Sequence, residues 1–224
     1  MPLDDGNEVV LATRERFYRQ HIYSAHLFAE RAQALEGRDP REMTGEDRWR
    51  HRAYVTGTIF AAAAFFESSI NELYVELKNL GASGSPKLPA RELSLLSQVW
   101  PDVQGSTILH KYQVALSLAD ADSYDESKPP FIDADSLLRL RDALVGSAAT
   151  EWQDKRGKQQ SLEKRLRTKF PPNALAESKS PWFPDRVLGA ACAMWAVKTL
   201  QTFSDDFCHR MGIPARARVG REKV

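Results

Sequence analysis

Apolar residues recur three and four apart along most of this 224-residue chain, the period of an amphipathic helix. No stretch alternates with the period of two that marks a half-buried strand. The pattern is strongest over residues 54–80, where Tyr54, Ile59, Ala62, Phe66, Ile70, Leu73, Leu77 and Leu80 follow one helical face. The run 59–66 is apolar all round, which predicts a helix that others surround. Its four alanines favour the helix and let neighbouring backbones approach closely. Farther along, Glu67 and Asn71 are four apart and share a face. Gly81 follows Leu80 as a C-cap.

The flanking sequence reads the same way. Residues 8–35 predict a first long helix with Phe17, His21, Ala25, Phe28, Ala32 and Leu35 on its apolar stripe, ended by Gly37-Arg-Asp-Pro40. Thr44 and Asp47 resemble a capping box, with Asp in place of the usual Glu, and start the central helix. Residues 81–88 form a connector whose glycines do not match a phosphate loop, having no strand before them and no Lys-Ser/Thr after. Shorter helices are expected over 89–100, stopped by Pro101, and over 106–118. The acidic loop 120–130 lacks the glycine and the terminal glutamate of a calcium loop. Asp133 is expected to cap a helix over 134–145, with Leu137, Leu138, Leu140, Leu144 and Val145 apolar and Gly146 as its C-cap. A basic helix over 158–170 is closed by Pro171-Pro172. Pro184 suits the first position of the last long helix, 184–211. Its stripe is Leu188, Ala191, Trp195, Leu200, Phe203, Phe207 and Met211. The fold class is therefore all-α: a bundle of three long helices and several short ones, one domain over 1–213, then a loose basic tail over 214–224.

Charge and composition narrow the function only slightly. A formal net charge of +1 exerts no global pull on nucleic acid or membrane, so any nucleic-acid surface must be a local patch. The run 59–66 is far shorter than the roughly 20 residues of a membrane span. The N-terminus lacks a signal pattern. Cys192 and Cys208 lie on one predicted helix, about 24 Å apart, too far to pair. A soluble cytoplasmic protein is expected.

Five histidines, His21, His26, His51, His110 and His209, show no metal-ligand spacing, and neither metal nor cofactor is expected. Glu67 sits among Phe65, Phe66 and Ile70, where an acid is costly unless paired. It either pairs with an arginine of another helix or lines a polar cleft together with Asn71. The stretch 155–169 carries Lys155, Arg156, Lys158, Lys164, Arg165, Arg167 and Lys169 with Glu163 its only acid. That is either a solvated helix face or a phosphate-contacting patch, helped by Arg216, Arg218, Arg221 and Lys223. Arg139 and Arg141 are two apart and point in different directions, one to solvent and the other inward.

Several segments occur in a telling order: AYVTGTIFAAAAFFESSINELY, LRLRDALV, Glu151-Trp152, SLEKRLRTKFPPN and WFPDRVLGAACAMWAVKTLQTF. Together, over roughly 52–213, they resemble bacterial members of the HEPN superfamily. The resemblance implies a helical bundle that dimerises and, in many members, a metal-independent endoribonuclease of toxin–antitoxin and antiphage systems. The family motif is arginine, a polar residue, three variable residues and histidine. Arg141 matches the arginine, Asp142 stands at the polar position and Gly146 replaces the histidine. Arg16 and His21 share the bare spacing, but Phe17 fills the polar position. The resemblance thus implies Arg141 and Asp142 as catalytic candidates, and the polar cleft reading adds Glu67 and Asn71 to them. RNA contacts would fall to Arg139, Lys164, Arg165, Arg167 and Lys169. Possible partners are RNA, a cognate antitoxin or other protein, and a second copy placing Arg141 near Arg141, with Asp142 and Glu67 between. Without the histidine, an RNA- or partner-binding module with little or no nuclease activity is expected. The alternatives are an active nuclease borrowing His51 or His110, and a purely structural interaction domain.

Overall fold

A computed structural model describes residues 16–80, 90–146 and 156–217; the predicted connector 81–88, Glu151-Trp152 and the ends of the chain lie outside it. The described residues are helical with no strand, as the periodicity predicts. The helices are α1 (Phe17–Glu36), α2 (Gly45–Leu80), α3 (Ala90–Val103), α4 (Ile108–Leu118), α5 (Phe131–Val145), α6 (Arg156–Leu166) and α7 (Ala190–Arg210), with a short π-type turn at Trp182–Arg186 before α7.

The bundle is built around α2, whose 36 residues span about 54 Å. Its start is the capping box read from the sequence. The Asp47 amide donates to the Thr44 hydroxyl (3.1 Å) and the Thr44 amide donates to the Asp47 carboxylate (3.1 Å). Ile59, Ala62, Ala63, Phe65 and Phe66 are buried, whereas Phe60 is 41% exposed, so one line of the apolar run faces out. By length and composition the stretch Gly45–Glu76 could cross a membrane, contrary to the span-length expectation above. However, 56% of its apolar window is buried inside the fold, as in the core helix of a soluble protein. Helices α1, α3, α5 and α7 pack around it. The core is rich in aromatic edges, with Phe203 set against both Phe66 (5.3 Å) and Tyr112 (4.9 Å).

Several predicted boundaries move. On α1 the buried line is Tyr18, Ile22, Ala25, Ala29 and Ala32, and Phe17 is 57% exposed. Alanines let α1 approach α2 and α7 closely, and the larger stripe is left at the margin. Pro101 does not stop α3; it sits in the last turn, where it forgoes one i→i−4 hydrogen bond and the helix ends two residues later at Val103. Asp133 does not cap α5, which begins two residues earlier at Phe131; it lies in the first turn and pairs with Lys169 instead. Val145, assigned to the buried face, is 69% exposed. Helix α6 ends at Leu166, short of Phe170. Pro184 is not at the head of α7. It is joined to Phe183 by a cis peptide bond inside the preceding turn. That turn is stitched to Asn173, whose amide donates to the Arg186 carbonyl (2.7 Å) and whose side chain donates to the Asp185 carbonyl (3.0 Å). Gly189 then passes so close to Asn173 that a Cβ would lie 2.6 Å from its Cα, and α7 starts only after it.

One carboxylate locks this end of the bundle. Glu36, the last residue of α1, accepts from the α7 amide of Ala190 (2.5 Å), from the Ala174 amide (3.0 Å) and pairs with His51 Nε2 of α2 (2.8 Å). At the opposite end α7 closes through Gly212 (φ +62°). The Gly212 amide donates to His209 and the Ile213 amide to Cys208, a Schellman stop. The chain then turns back, and the first part of the tail is docked rather than loose. Arg216 donates to the Ser69 carbonyl (3.0 Å), pairs with Glu76 and lies over the Tyr18 ring (5.2 Å).

Candidate functional site

Of the cations singled out in the sequence, Arg139, Arg165 and Lys169 meet acids of α5 along its seam with α6 and the turn that follows. Asp135 accepts from Arg139 Nε of its own helix (2.8 Å) and from an Arg165 guanidinium nitrogen of α6 (2.7 Å), bridging the two helices. Lys169 pairs with Asp133 at 2.7 Å, and Arg167 pairs with Glu163 one turn earlier. Arg141 Nε donates to Asp142 at 2.6 Å. Lys164 is exposed and has no ion-pair partner among the described residues. The Asp135–Arg139 and Glu163–Arg167 pairs follow from acid-before-base spacing at i,i+4. Arg139 and Arg167 are mostly solvent-exposed, and such pairs contribute little to stability.

The motif residues remain accessible. Arg141 is half-buried and Asp142 is exposed, while Arg139 faces solvent, as the two-apart spacing suggested. Gly146 has φ −85°, ψ 7°, and its amide still donates to the Asp142 carbonyl (2.8 Å). It therefore ends α5 without the left-handed conformation expected of a C-cap glycine.

Glu67 and Asn71 belong to a different place. Glu67 is exposed on α2, neither buried with an arginine nor deep in a cleft. Asn71 accepts a hydrogen bond from Lys111 Nζ of α4 (2.9 Å). Lys111 is only 3% exposed and lies over the Trp100 ring (5.5 Å), with its own carbonyl accepting from Tyr74. Burial pushes the Lys111 pKa down, and the nearby Glu67 carboxylate pushes it back up. Among the described residues no contact joins this cluster to Arg141 or Asp142. Lys111 was legible in outline, since it interrupts the apolar face formed by Ile108, Tyr112 and Ala115.

The histidines do not complete the motif. His51 is buried on Glu36, at the α7 N-terminal end. His110 is exposed on α4. His26 pairs with Gln201 (3.0 Å), and burial lowers the pKa of both His21 and His26. Arg16 is engaged by Tyr18 and Glu76. Both cysteines are buried free thiols, and burial raises the pKa of each. Among the described residues no group of three or more His, Cys, Asp or Glu side chains is placed to hold a metal.

No family model matches the chain, and neither a curated protein nor a solved structure does.

Proposed function

We propose that this chain is a HEPN-like RNA-binding module that holds RNA phosphates along the α5–α6 seam and cleaves RNA weakly or not at all. The observation that supports this best is the Asp135 bridge. One carboxylate holds Arg139 and Arg165 from two helices in fixed directions, and each guanidinium keeps further N–H donors for a phosphate. On this reading Lys164, Arg167 and Lys169, close to Arg165 in sequence, and Arg141, two residues after Arg139, supply the further cations. Asp133, Asp135, Asp142 and Glu163 offset four of the six cations, so the field is modest. For catalysis, Arg141 can stabilise phosphate charge, but Gly146 holds the motif position whose histidine would move the 2′-hydroxyl proton.

The test is anisotropy titration of a labelled single-stranded RNA across a salt series, with a gel assay for cleavage on the same samples. Each phosphate contact to a single strand contributes a slope of about −0.7 in log K against log salt, so two net charges predict about −1.4. Arg139→Glu with Arg165→Glu should abolish that binding. Asp135→Asn should strengthen it and steepen the slope by freeing two arginines. Salt-independent binding, or none, sinks the RNA assignment; strong Arg141-dependent cleavage by the unmodified protein sinks the inactive one.

The same proposal includes a homodimer. Val145 is 69% exposed and lies one turn from Arg141 on the same helix, which supplies an apolar contact beside the motif. The intrachain Arg141–Asp142 pair relieves the repulsion between two facing arginines. Sedimentation at micromolar concentration should show a dimer that Val145→Lys dissociates; a monomer at that concentration refutes it.

A further inference from the structure

A groove of about 550 Å³ lies away from these residues, except that Lys169 and Asp133 form its edge. One face of α7 makes one wall, with Ala191, Trp195, Lys198 and Thr202 successive at spacings of four, three and four. The other wall is the start of α5 and the turn after α6, including Pro129, Pro130 and Pro171. We propose that this groove docks an acidic segment of a partner protein through one bulky apolar side chain.

The floor supplies the apolar part. The Phe170 and Trp195 rings pack at 5.2 Å and 44°, and Met194 stands 41% exposed beside them. Aromatic residues and methionine are enriched at the centres of protein interfaces, and methionine adapts to the side chain that arrives. The proline wall adds a second apolar surface. Three prolines offer no backbone N–H on that wall, so it suits an apolar side chain, which has no acceptor to satisfy. The rim supplies the sign. Lys198 is exposed and has no ion-pair partner among the described residues, while Lys169 is held by Asp133 at 2.7 Å. Two ammonium groups face one carboxylate, so the complement is negative. Lys198 is one turn from Met194, which places an incoming carboxylate next to the anchor side chain.

The experiment is fluorescence anisotropy with the fluorescein-labelled hexapeptide Glu-Asp-Leu-Phe-Glu-Asp on the full chain. Saturable binding is expected below about 1 mM, a weak affinity suited to a single anchor. Lys198→Glu should weaken it about tenfold or more, as a rim charge reversal does. Met194→Lys and a peptide with Ala-Ala for Leu-Phe should do the same. Both substituted side chains are exposed, so the variants should fold, and circular dichroism checks this. The Arg139→Glu, Arg165→Glu variant should bind the peptide unchanged, which separates this groove from the proposed RNA face. No saturation by that concentration, or binding indifferent to Lys198→Glu and Met194→Lys, overturns the inference. Displacement of the peptide by adenosine monophosphate or single-stranded RNA in a Lys198-dependent way also overturns it, assigning the groove to nucleic acid.

Discussion

Removing the Glu36 carboxylate should loosen three elements at once. Its side chain is 13% exposed and His51 is 3% exposed, so neither partner can turn to water without moving the backbone. Glu36→Ala would strand the Ala190 amide at the head of α7, the Ala174 amide and the His51 ring together. It would also remove a negative charge from the N-terminus of a 21-residue helix. Breaking one side of a buried ionic contact costs about 3–5 kcal/mol, most of it the penalty of the abandoned partners. Urea unfolding should show that loss as a lower midpoint at unchanged m. Glu42→Ala, at an exposed acid nearby, should stay within about 0.5 kcal/mol of the parent. Burial alone would raise the Glu36 pKa, but the hydrogen bonds from His51, Ala190 and Ala174 outweigh it and leave the folded value below the ordinary 4.5. A depressed carboxyl pKa adds stability above the unfolded value and loses it as pH falls through the folded one. The gap between the parent and Glu36→Gln should therefore be full at neutral pH and narrow below pH 4.5. A loss under about 1 kcal/mol for Glu36→Ala, or a gap that widens on acidification, would refute the lock.

Three further outcomes follow from the same packing. Ala63→Asp, at a position 1% exposed, should cost about 4 kcal/mol or more by burying an unpaired charge; a melting temperature that barely moves contradicts the central role of α2. Arg216→Ala should cost about 2 kcal/mol, because Glu76 and the Ser69 carbonyl lose a donor that is itself nearly buried; denaturant unfolding measures it. Asp142→Asn with Gly146→His should fold, since Gly146 is not left-handed and an added Cβ only crowds the Asp142 carbonyl at 3.1 Å. Restored proton transfer is worth about 10²- to 10⁴-fold, so this double variant should gain RNA cleavage that Arg141→Ala abolishes. A folded variant that stays inert argues against a decayed nuclease site at Arg141.

The fold was legible wherever a helix is held by its own periodicity. The all-round apolar run located the core helix, and Thr44 with Asp47 marked its first turn. What the sequence hid were boundaries set by distant groups. Pro184 looks like a helix start by itself. The start of α7 is instead fixed by Asn173, by the close pass at Gly189 and by Glu36 from 154 residues away. On α1 the predicted stripe ran through Phe17 and Phe28, while the line actually buried shares Ala25 and Ala32 with it but turns to Tyr18, Ile22 and Ala29. Close approach between helix backbones rewards alanine, and Ala29, which a hydrophobicity pattern weights little, was passed over for the neighbouring Phe28.

The candidate site shows the same asymmetry in charge. Read along 155–169, the basic stretch has a single acid and invites a strong phosphate field. In three dimensions Asp133 and Asp135 arrive from α5, some 30 residues earlier, and take up Lys169 and Arg165. A count of cations in sequence therefore overstates the charge presented to solvent, and the surface that remains is one of few, well-aimed donors. On the RNA-binding reading proposed above, such a surface would make a weakly salt-dependent contact at defined phosphates rather than a nonspecific coating. Glu67 errs in the opposite direction. Its apolar neighbours in sequence implied burial, but helical geometry turns Glu67 outward while Phe66 and Ile70 turn in, and the buried charge is Lys111, facing Asn71 from another helix. Where a charge resides in this bundle is decided by the helix it faces, not by the residues beside it.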